Sequence, residues 1–424
     1  LFGASLLYGA GIITPVSSVL AALDGLEVAT KAAKPLVIPL TCLILICLFL
    51  VQKFGTSKIG KFFGPIMLIW FITIAILGLR YIIKYPIILK ALNPYYSIDF
   101  LIRNQEKGLI LLGAVVLCIT GAEALYADMG HFGKKPIQLS WYYLILPSLL
   151  LNYFGQGAFL LEHSNSNINP FYAIVPSPLI FPMVLFSTIA TTIASQSLIA
   201  GIFSLTRQAI QLGFFPRLQI LHTSSFTEGQ IYVPTINKIM MISCVLLVLV
   251  FKNSSNLAAA FGMAVTANMV LTTIVYSVVL IKIWKWKLWK AITLISVFLI
   301  FDITYFISNL FKFFEGAWLP LVIAFVFFIV MTTWNTGRNY MSKVIEQSKM
   351  SINSFFKDFD ISNYQRVNGT AVFMSSMSDA VPPCLLYNLT HNHILHKEVI
   401  FLSIKYLNIP FVKKEDKVTI ESLN

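Results

Sequence analysis

The feature that most constrains this chain is a series of apolar stretches, each about 20 residues long. A helix of that length crosses the hydrocarbon core of a bilayer, because each residue rises about 1.5 Å. Lipid offers no partners to backbone polar groups, so a helix, which satisfies its own, is the expected form. The stretches predict ten transmembrane helices at 1–23, 35–52, 62–83, 107–128, 140–161, 178–206, 235–251, 256–281, 289–308 and 315–335.

Composition and charge agree with a polytopic membrane protein. Hydrophobic residues make up 57% of the 424 residues and charged residues 12%, which excludes an ordinary soluble protein. The formal net charge of +13 is compatible with a nucleic-acid partner, but Lys and Arg cluster at the ends of the apolar stretches. Positive-inside topology explains that distribution more simply. The lipid bilayer is therefore the expected partner, and no nucleic acid is expected.

The distribution of charge between the loops predicts an orientation. The loops at 52–61, 129–139 and 282–290 are short and basic, whereas the loop at 162–177 has no Lys or Arg. Short basic loops face the cytoplasm, and an even number of crossings then places both chain ends on that side. The longer loop at 80–106 is also basic, although the same orientation places it outside. We expect a cytoplasmic C-terminus.

A second domain is predicted after the last apolar stretch. The composition turns polar beyond Trp334, which predicts a transmembrane domain at 1–337 and a small α/β domain at 338–424. Alternating apolar residues predict short strands at 370–374, 399–406 and 418–420. A helix is expected at 383–397, since Pro383 suits a helix start.

The stretch 113–133 contains the strongest candidate for a functional residue. Glu123 lies within an apolar run, where an ionisable group usually faces a bundle interior or an ion path. Just before it, Thr120 and Gly121 give the helix a place to open and to free carbonyls for a cation. Thr120 and Glu123 share a helix face. They predict a cation site in which Glu123 trades a proton for a metal ion; a structural hydrogen bond is the alternative.

Other polar residues in apolar stretches have two interpretations each. Tyr126 and Asp128 lie at the cytoplasmic end of the same span, where Asp128 is either a site residue or a solvated helix end. Thr14 and Ser18 stand four residues apart and either line the cation site or pack against another helix. Asp302 is interpreted as pairing with a neighbouring helix.

Signals for an enzyme or a resident metal are missing from the sequence. There is no nucleophile, base and acid set and no nucleotide fingerprint. The five Cys have no paired spacing, and the three His near the C-terminus lack a Cys or carboxylate spacing that would complete a metal site. We therefore expect neither catalysis nor a bound cofactor.

Six runs, in order along nearly the whole chain, carry a family resemblance. They are YGAGIITPVSSVLAALDGLE, GAVVLCITGAEALYADMGHFGK, LPSLLLNYFGQGAFLL, ASQSLIAGIFSLTRQAIQLG, SSNLAAAFGMAVTANMVLT and GAWLPL. In these runs the chain resembles the potassium uptake permeases of the KUP/HAK/KT family, within the amino acid-polyamine-organocation (APC) superfamily.

That resemblance implies a fold and an activity. It implies twelve transmembrane helices, the first ten arranged as a LeuT/APC-type inverted repeat with broken first and sixth helices. The first span here matches the family's third, so the first two helices and a GDxGTSPLY-type motif are expected to be missing from an N-terminally truncated chain. The implied activity is K⁺/H⁺ symport by alternating access in the bacterial inner membrane, with K⁺ and H⁺ as substrates and a homodimer as the assembly.

The resemblance also assigns roles to single residues. Thr120 and Glu123 match the family's coordinating pair, with Glu123 in the place of the acid tied to proton coupling. Thr14 and Ser18 fall where third-helix hydroxyls line the potassium site, and Ala10 stands where members commonly carry Asp or Glu. The missing helices and Ala10 motivate an alternative, an inactive remnant or a regulatory membrane fragment. An organic-substrate permease is a third interpretation, against which the sequence TGAE argues.

Overall fold

The structure of the protein is a computed structural model. It describes residues 1–54, 60–121, 133–163, 168–222, 231–347, 350–358, 364–375, 380–404, 412 and 417–421. The chain divides into two compact units, Leu1–Asn335 and Thr336–Asn424. Each unit is considered by itself below.

Helices dominate the described residues. In chain order they are α1 (Phe2–Leu23), α2 (Gly25–Ala29), α3 (Val37–Val51), α4 (Gly60–Lys84), α5 (Pro94–Val115), α6 (Lys134–Ser140), α7 (Leu146–Glu162), α8 (Pro170–Ala173), α9 (Ile180–Gln211), α10 (Pro234–Phe251), α11 (Ser254–Val278), α12 (Leu288–Leu310), α13 (Trp318–Gln347), α14 (Ile352–Asp358) and α15 (Pro383–Asn392). Four strands complete the description: β1 (Leu221–His222), β2 (Ile231–Tyr232), β3 (Gln365–Ser375) and β4 (Ile394–Ser403).

Nine helical stretches in the described part of the chain are long and apolar enough to cross a membrane. They correspond to all the predicted windows except 107–128, of which the structure describes residues 107–121. The prediction of a mostly helical polytopic protein is confirmed at this level. The inverted-repeat relation between the helices stays a prediction.

Helix α5 is kinked at Gln105, whose φ of 35° and ψ of −103° lie outside the helical region. The part before the kink carries an ion pair of 2.8 Å between Arg103 Nε and Asp99 Oδ1. The predicted window begins at residue 107, just beyond the kink. The apolar pattern therefore identified only the second part of α5.

Helix α1 lies at the centre of the first unit and packs against α3, α9, α10 and α11. The approach of α9 is close, since a Cβ at Gly11 would lie 2.6 Å from Ile202 Cγ1. Tyr8 is 1% exposed, and its ring stacks on Phe327 with 4.4 Å between centroids. Its hydroxyl shares a hydrogen bond of 2.8 Å with Thr206 of α9. These contacts hold α1 on several sides.

Helices α4 and α7 cross at a pair of glycines. A Cβ at Gly78 would lie 2.2 Å from the carbonyl oxygen of Leu151, and one at Gly155 would lie 2.4 Å from Gly78 Cα. Beside the crossing, Asn152 Nδ2 donates to the Ile74 carbonyl at 3.2 Å. Small residues at a helix interface permit this close approach of two backbones in a membrane protein.

In the second unit, β3 and β4 pair in parallel, and α15 lies between them in the chain. The predicted strand at 370–374 lies within β3, and β4 starts before the predicted 399–406. The predicted helix is right at Pro383 and wrong at its end, because α15 stops at Asn392 and His393 takes a left-handed φ of 56°. Pairing with β3 then overrides helix formation from Ile394 onward. Residues 418–420, predicted as a strand, are not in one.

Candidate functional site

The helical conformation that begins with α5 ends at Thr120 and Gly121. After α5 a 3-10 turn covers Val116–Ile119, and Thr120 is then extended, with φ −76° and ψ 165°. Gly121 follows with a φ of 111°, a conformation that glycine adopts without strain. The helical conformation therefore ends at the pair where the sequence predicts an opening, and the part of this pair in a cation site stays a prediction. Carbonyl groups in the last turn before a break lack the usual intrahelical donors and are available to a cation or another donor.

A cavity of about 300 Å³ lies beside this pair, between the turn that follows α5 and helices α11 and α12. The half-buried Thr120 lines it, and the Thr120 hydroxyl donates to the Leu117 carbonyl at 2.9 Å. A hydroxyl that has donated its hydrogen still offers lone pairs to a cation. The lining thus mixes apolar side chains with oxygen-bearing residues, the latter being Thr120, Gly121, Asn268, Thr272, Thr273 and Asp302.

Three predicted site residues lie outside the described part of the chain. Glu123, Tyr126 and Asp128 belong to the stretch 122–132, of which nothing is described. The roles predicted for them, including proton coupling by Glu123, stay predictions. The description of the candidate site therefore ends at Gly121, just before these three residues.

The two predicted hydroxyls of α1 are placed on that helix as expected. Thr14 and Ser18 are both half-buried, and the Thr14 hydroxyl donates to the Ala10 carbonyl at 2.7 Å. Neither residue is among those that line the cavity beside Thr120. The start of α1 is closer to the cavity, since a Cβ at Gly3 would lie 3.5 Å from Asn268 Oδ1. A site shared by Thr14, Ser18 and Thr120 stays a prediction.

Asp302 has the helix partner that its sequence context predicts. Its Oδ2 accepts a hydrogen bond of 2.5 Å from the hydroxyl of Thr273, so α12 is joined to α11. The same carboxylate lines the cavity that Thr120 lines. Asp302 therefore both joins two helices and lines the cavity.

Sequence reasoning missed the contribution of α11 to this cavity. Asn268 and Thr272 stand four residues apart and so share a face of α11, next to Thr273. Polar residues at that spacing in the run ANMVLTTIVYS were the available signal. The apolar windows did not use it because they measure mean hydropathy and ignore the face on which a polar residue lies.

Comparison with known protein families gives this geometry its context. The family model for the K⁺ potassium transporter integral membrane domain matches residues 1–339, and the one for the K⁺ potassium transporter C-terminal domain matches residues 368–424. The chain belongs to the KUP/HAK/KT family of potassium transporters. This confirms the resemblance carried by the six runs, and it makes the chain a multi-pass membrane protein of a transporter family.

Curated relatives align along the whole chain. The "Probable potassium transport system protein Kup 1" of Syntrophobacter fumaroxidans is 54% identical over 423 residues, which are 100% of this chain and 64% of the relative. The "Probable potassium transport system protein Kup" of Chlorobaculum tepidum is 50% identical over 424 residues, which are 100% of this chain and 69% of the relative. The "Low affinity potassium transport system protein Kup" of Yersinia pestis (strain Pestoides F) is 46% identical over 424 residues, or 68% of its length. The chain thus spans about two thirds of the length of these relatives.

Proposed function

We propose that this protein takes up K⁺ across the bacterial inner membrane by K⁺/H⁺ symport. The observation that carries the proposal is the helix break at Thr120 and Gly121 beside a cavity with oxygen-bearing walls. Transporters commonly bind ions where a broken helix presents carbonyl groups near the middle of the membrane. Family membership and the potassium transport named for the relatives support the choice of K⁺ as the cation.

The K⁺ site in this proposal is built from hydroxyl, carbonyl and carboxylate oxygens. Thr120 and Glu123 form its centre, Thr14 and Ser18 line it from α1, and Tyr126 and Asp128 are further members on the same segment as Glu123. Oxygen ligands of this kind replace part of the hydration shell of K⁺. Glu123 binds a proton in one half of the cycle and faces K⁺ in the other, while two helix bundles rock around the site to give alternating access.

The proposal includes a cytoplasmic C-terminus and a homodimer. The first follows from the short basic loops and the second from the family resemblance alone. The alternative, an inactive remnant or regulatory fragment, is not favoured by relatives that are 46–55% identical along the chain. Measured uptake by the gene product is the direct discriminator between a transporter and a remnant.

The test of the proposed role of Glu123 is a rescue assay in bacterial cells that lack their own potassium uptake. We expect the gene product to restore growth at low K⁺ and Glu123→Gln to abolish or strongly reduce uptake, because glutamine cannot carry the negative charge or release the proton. Glu315→Gln is the matched control, since Glu315 is exposed after α12. Undiminished and pH-independent uptake by Glu123→Gln would remove Glu123 from the mechanism.

A further inference from the structure

Asp302 is a buried carboxylate with few hydrogen-bond donors or opposite charges among the described residues around it. It is 6% exposed, and Thr273 supplies the hydrogen bond described above. Among the described residues no Lys or Arg nitrogen lies within 4 Å of it, and no other hydrogen bond reaches it. A buried ionised carboxylate requires an opposite charge or several hydrogen-bond donors to offset its lost hydration. One hydroxyl does not meet that requirement.

The cavity supplies the space in which an opposite charge can be held. Its volume of about 300 Å³ is far above the roughly 15 Å³ that a single water needs by a comparable measure. Of the lining residues, Gly121 and Thr272 are exposed, whereas Asp302 is buried. A monovalent cation that keeps part of its water shell fits such a space.

Neutral oxygen atoms line the same cavity as the carboxylate. Thr273 lies against Asp302, and the half-buried Asn268 contributes a side-chain amide for which no hydrogen bond is found among the described residues. The Thr272 hydroxyl donates to the Asn268 backbone carbonyl at 2.8 Å, which leaves its lone pairs for another partner. One charged and several neutral oxygens form a suitable set for a weakly held K⁺.

We propose that Asp302, with Thr273 and Asn268, forms a second cation position, in which partly hydrated K⁺ is held in the cavity that Thr120 also lines. This inference rests on the proposed potassium transport. The position gathers K⁺ beside Thr120 and Gly121, and among the described residues that line the cavity Asp302 is the one that carries a charge. The competing role for Asp302 is a helix clamp that holds α12 to α11 through Thr273 and takes no part in cation binding.

Asp302→Asn separates the two roles, because asparagine retains a hydrogen bond to Thr273 and loses only the charge. In the rescued cells we expect the K⁺ concentration for half-maximal uptake to rise about tenfold, as for the loss of one charge-assisted contact. Thr273→Val keeps the carboxylate and is expected to cause a smaller rise. An Asp302→Asn uptake curve that superimposes on that of the parent would overturn the inference.

Ser308→Ala is the matched control on the same helix. Ser308 donates to the Leu109 carbonyl at 2.6 Å and joins α12 to α5, and it does not line the cavity. We expect no change in half-saturation; a shift equal to that of Asp302→Asn would mean that α12 packing alone is being measured, and the inference would fall. If Asp302→Asn does not reach the membrane, Asn268→Leu takes its place, with a several-fold rise expected and an unchanged curve counting against the inference.

The outcome also distinguishes this inference from the proposed function. Normal uptake by the parent with an unaffected Asp302→Asn leaves K⁺ transport standing and removes the second position. No uptake by the parent overturns the proposed function. Thermal stabilisation of the purified protein by K⁺ then tests whether the cavity binds a cation. Stabilisation of the parent by KCl but not by choline chloride, lost in Asp302→Asn, supports a cation position; equal behaviour of the two proteins overturns it.

Discussion

At the residue scale, several threonine hydroxyls within the helices of the first unit donate to a carbonyl of their own helix. Thr14 donates to the Ala10 carbonyl and Thr206 to the Ile202 carbonyl at 2.8 Å. The Thr206 hydroxyl has one hydrogen and donates it to Ile202. The hydrogen bond between Tyr8 and Thr206 must therefore be donated by the tyrosine. The same logic leaves the lone pairs of Thr120 and Thr272 available to a cation.

This assignment predicts an asymmetry between two substitutions. Thr206→Val leaves the buried Tyr8 hydroxyl without a partner and is expected to cost about 1–3 kcal/mol, whereas Tyr8→Phe leaves only an unused lone pair and costs about 0.5–1 kcal/mol. The phenylalanine retains the stacking on Phe327, so Tyr8→Phe also controls for packing. Unfolding free energies in detergent would measure both. A larger loss for Tyr8→Phe would reverse the direction assigned to the bond.

At the element scale, the sequence predicted the features that depend on residues close together in the chain. Mean hydropathy over 20 residues identified the spans, and glycine after threonine identified the break at Gly121. The cavity was not predictable in this way, because Thr273 and Asp302 meet only when particular faces of α11 and α12 pack together. The end of α15 was likewise set by pairing of the residues after His393 with β3 rather than by helix propensity.

The crossing of α4 and α7 gives a prediction at the same scale. Gly78→Ala places a Cβ against the backbone of Leu151, which cannot move away as a side chain would, and it is expected to destabilise the first unit by about 1–3 kcal/mol. The measurement is the thermal unfolding midpoint in detergent. Gly64→Ala is the control on the same helix, because nothing lies within 4 Å of its added Cβ. An equal effect of the two alanines would contradict the tight crossing.

At the scale of the whole molecule, the candidate spans predict that two loops lie on opposite sides of the membrane. Ile168 and Lys287 are both exposed, and the candidate spans Ser177–Gln211, Pro234–Phe251 and Ser254–Ile283 lie between them. Three crossings must reverse the side, whatever precedes residue 168. From the positive-inside rule we expect the basic loop around Lys287 in the cytoplasm and the loop around Ile168 outside.

Labelling with a membrane-impermeant maleimide tests this arrangement in a variant whose five own cysteines are replaced. We expect Ile168→Cys to be labelled in intact cells and Lys287→Cys only after the membrane is permeabilised. Three candidate spans lie between the two positions, and the basic loop around Lys287 is expected on the cytoplasmic side. The cysteine-free parent controls for background labelling. Labelling of both positions from one side would mean that the number of crossings between them is wrong. The reverse pattern would keep that number and would invert the orientation, which would place the C-terminus outside the cell.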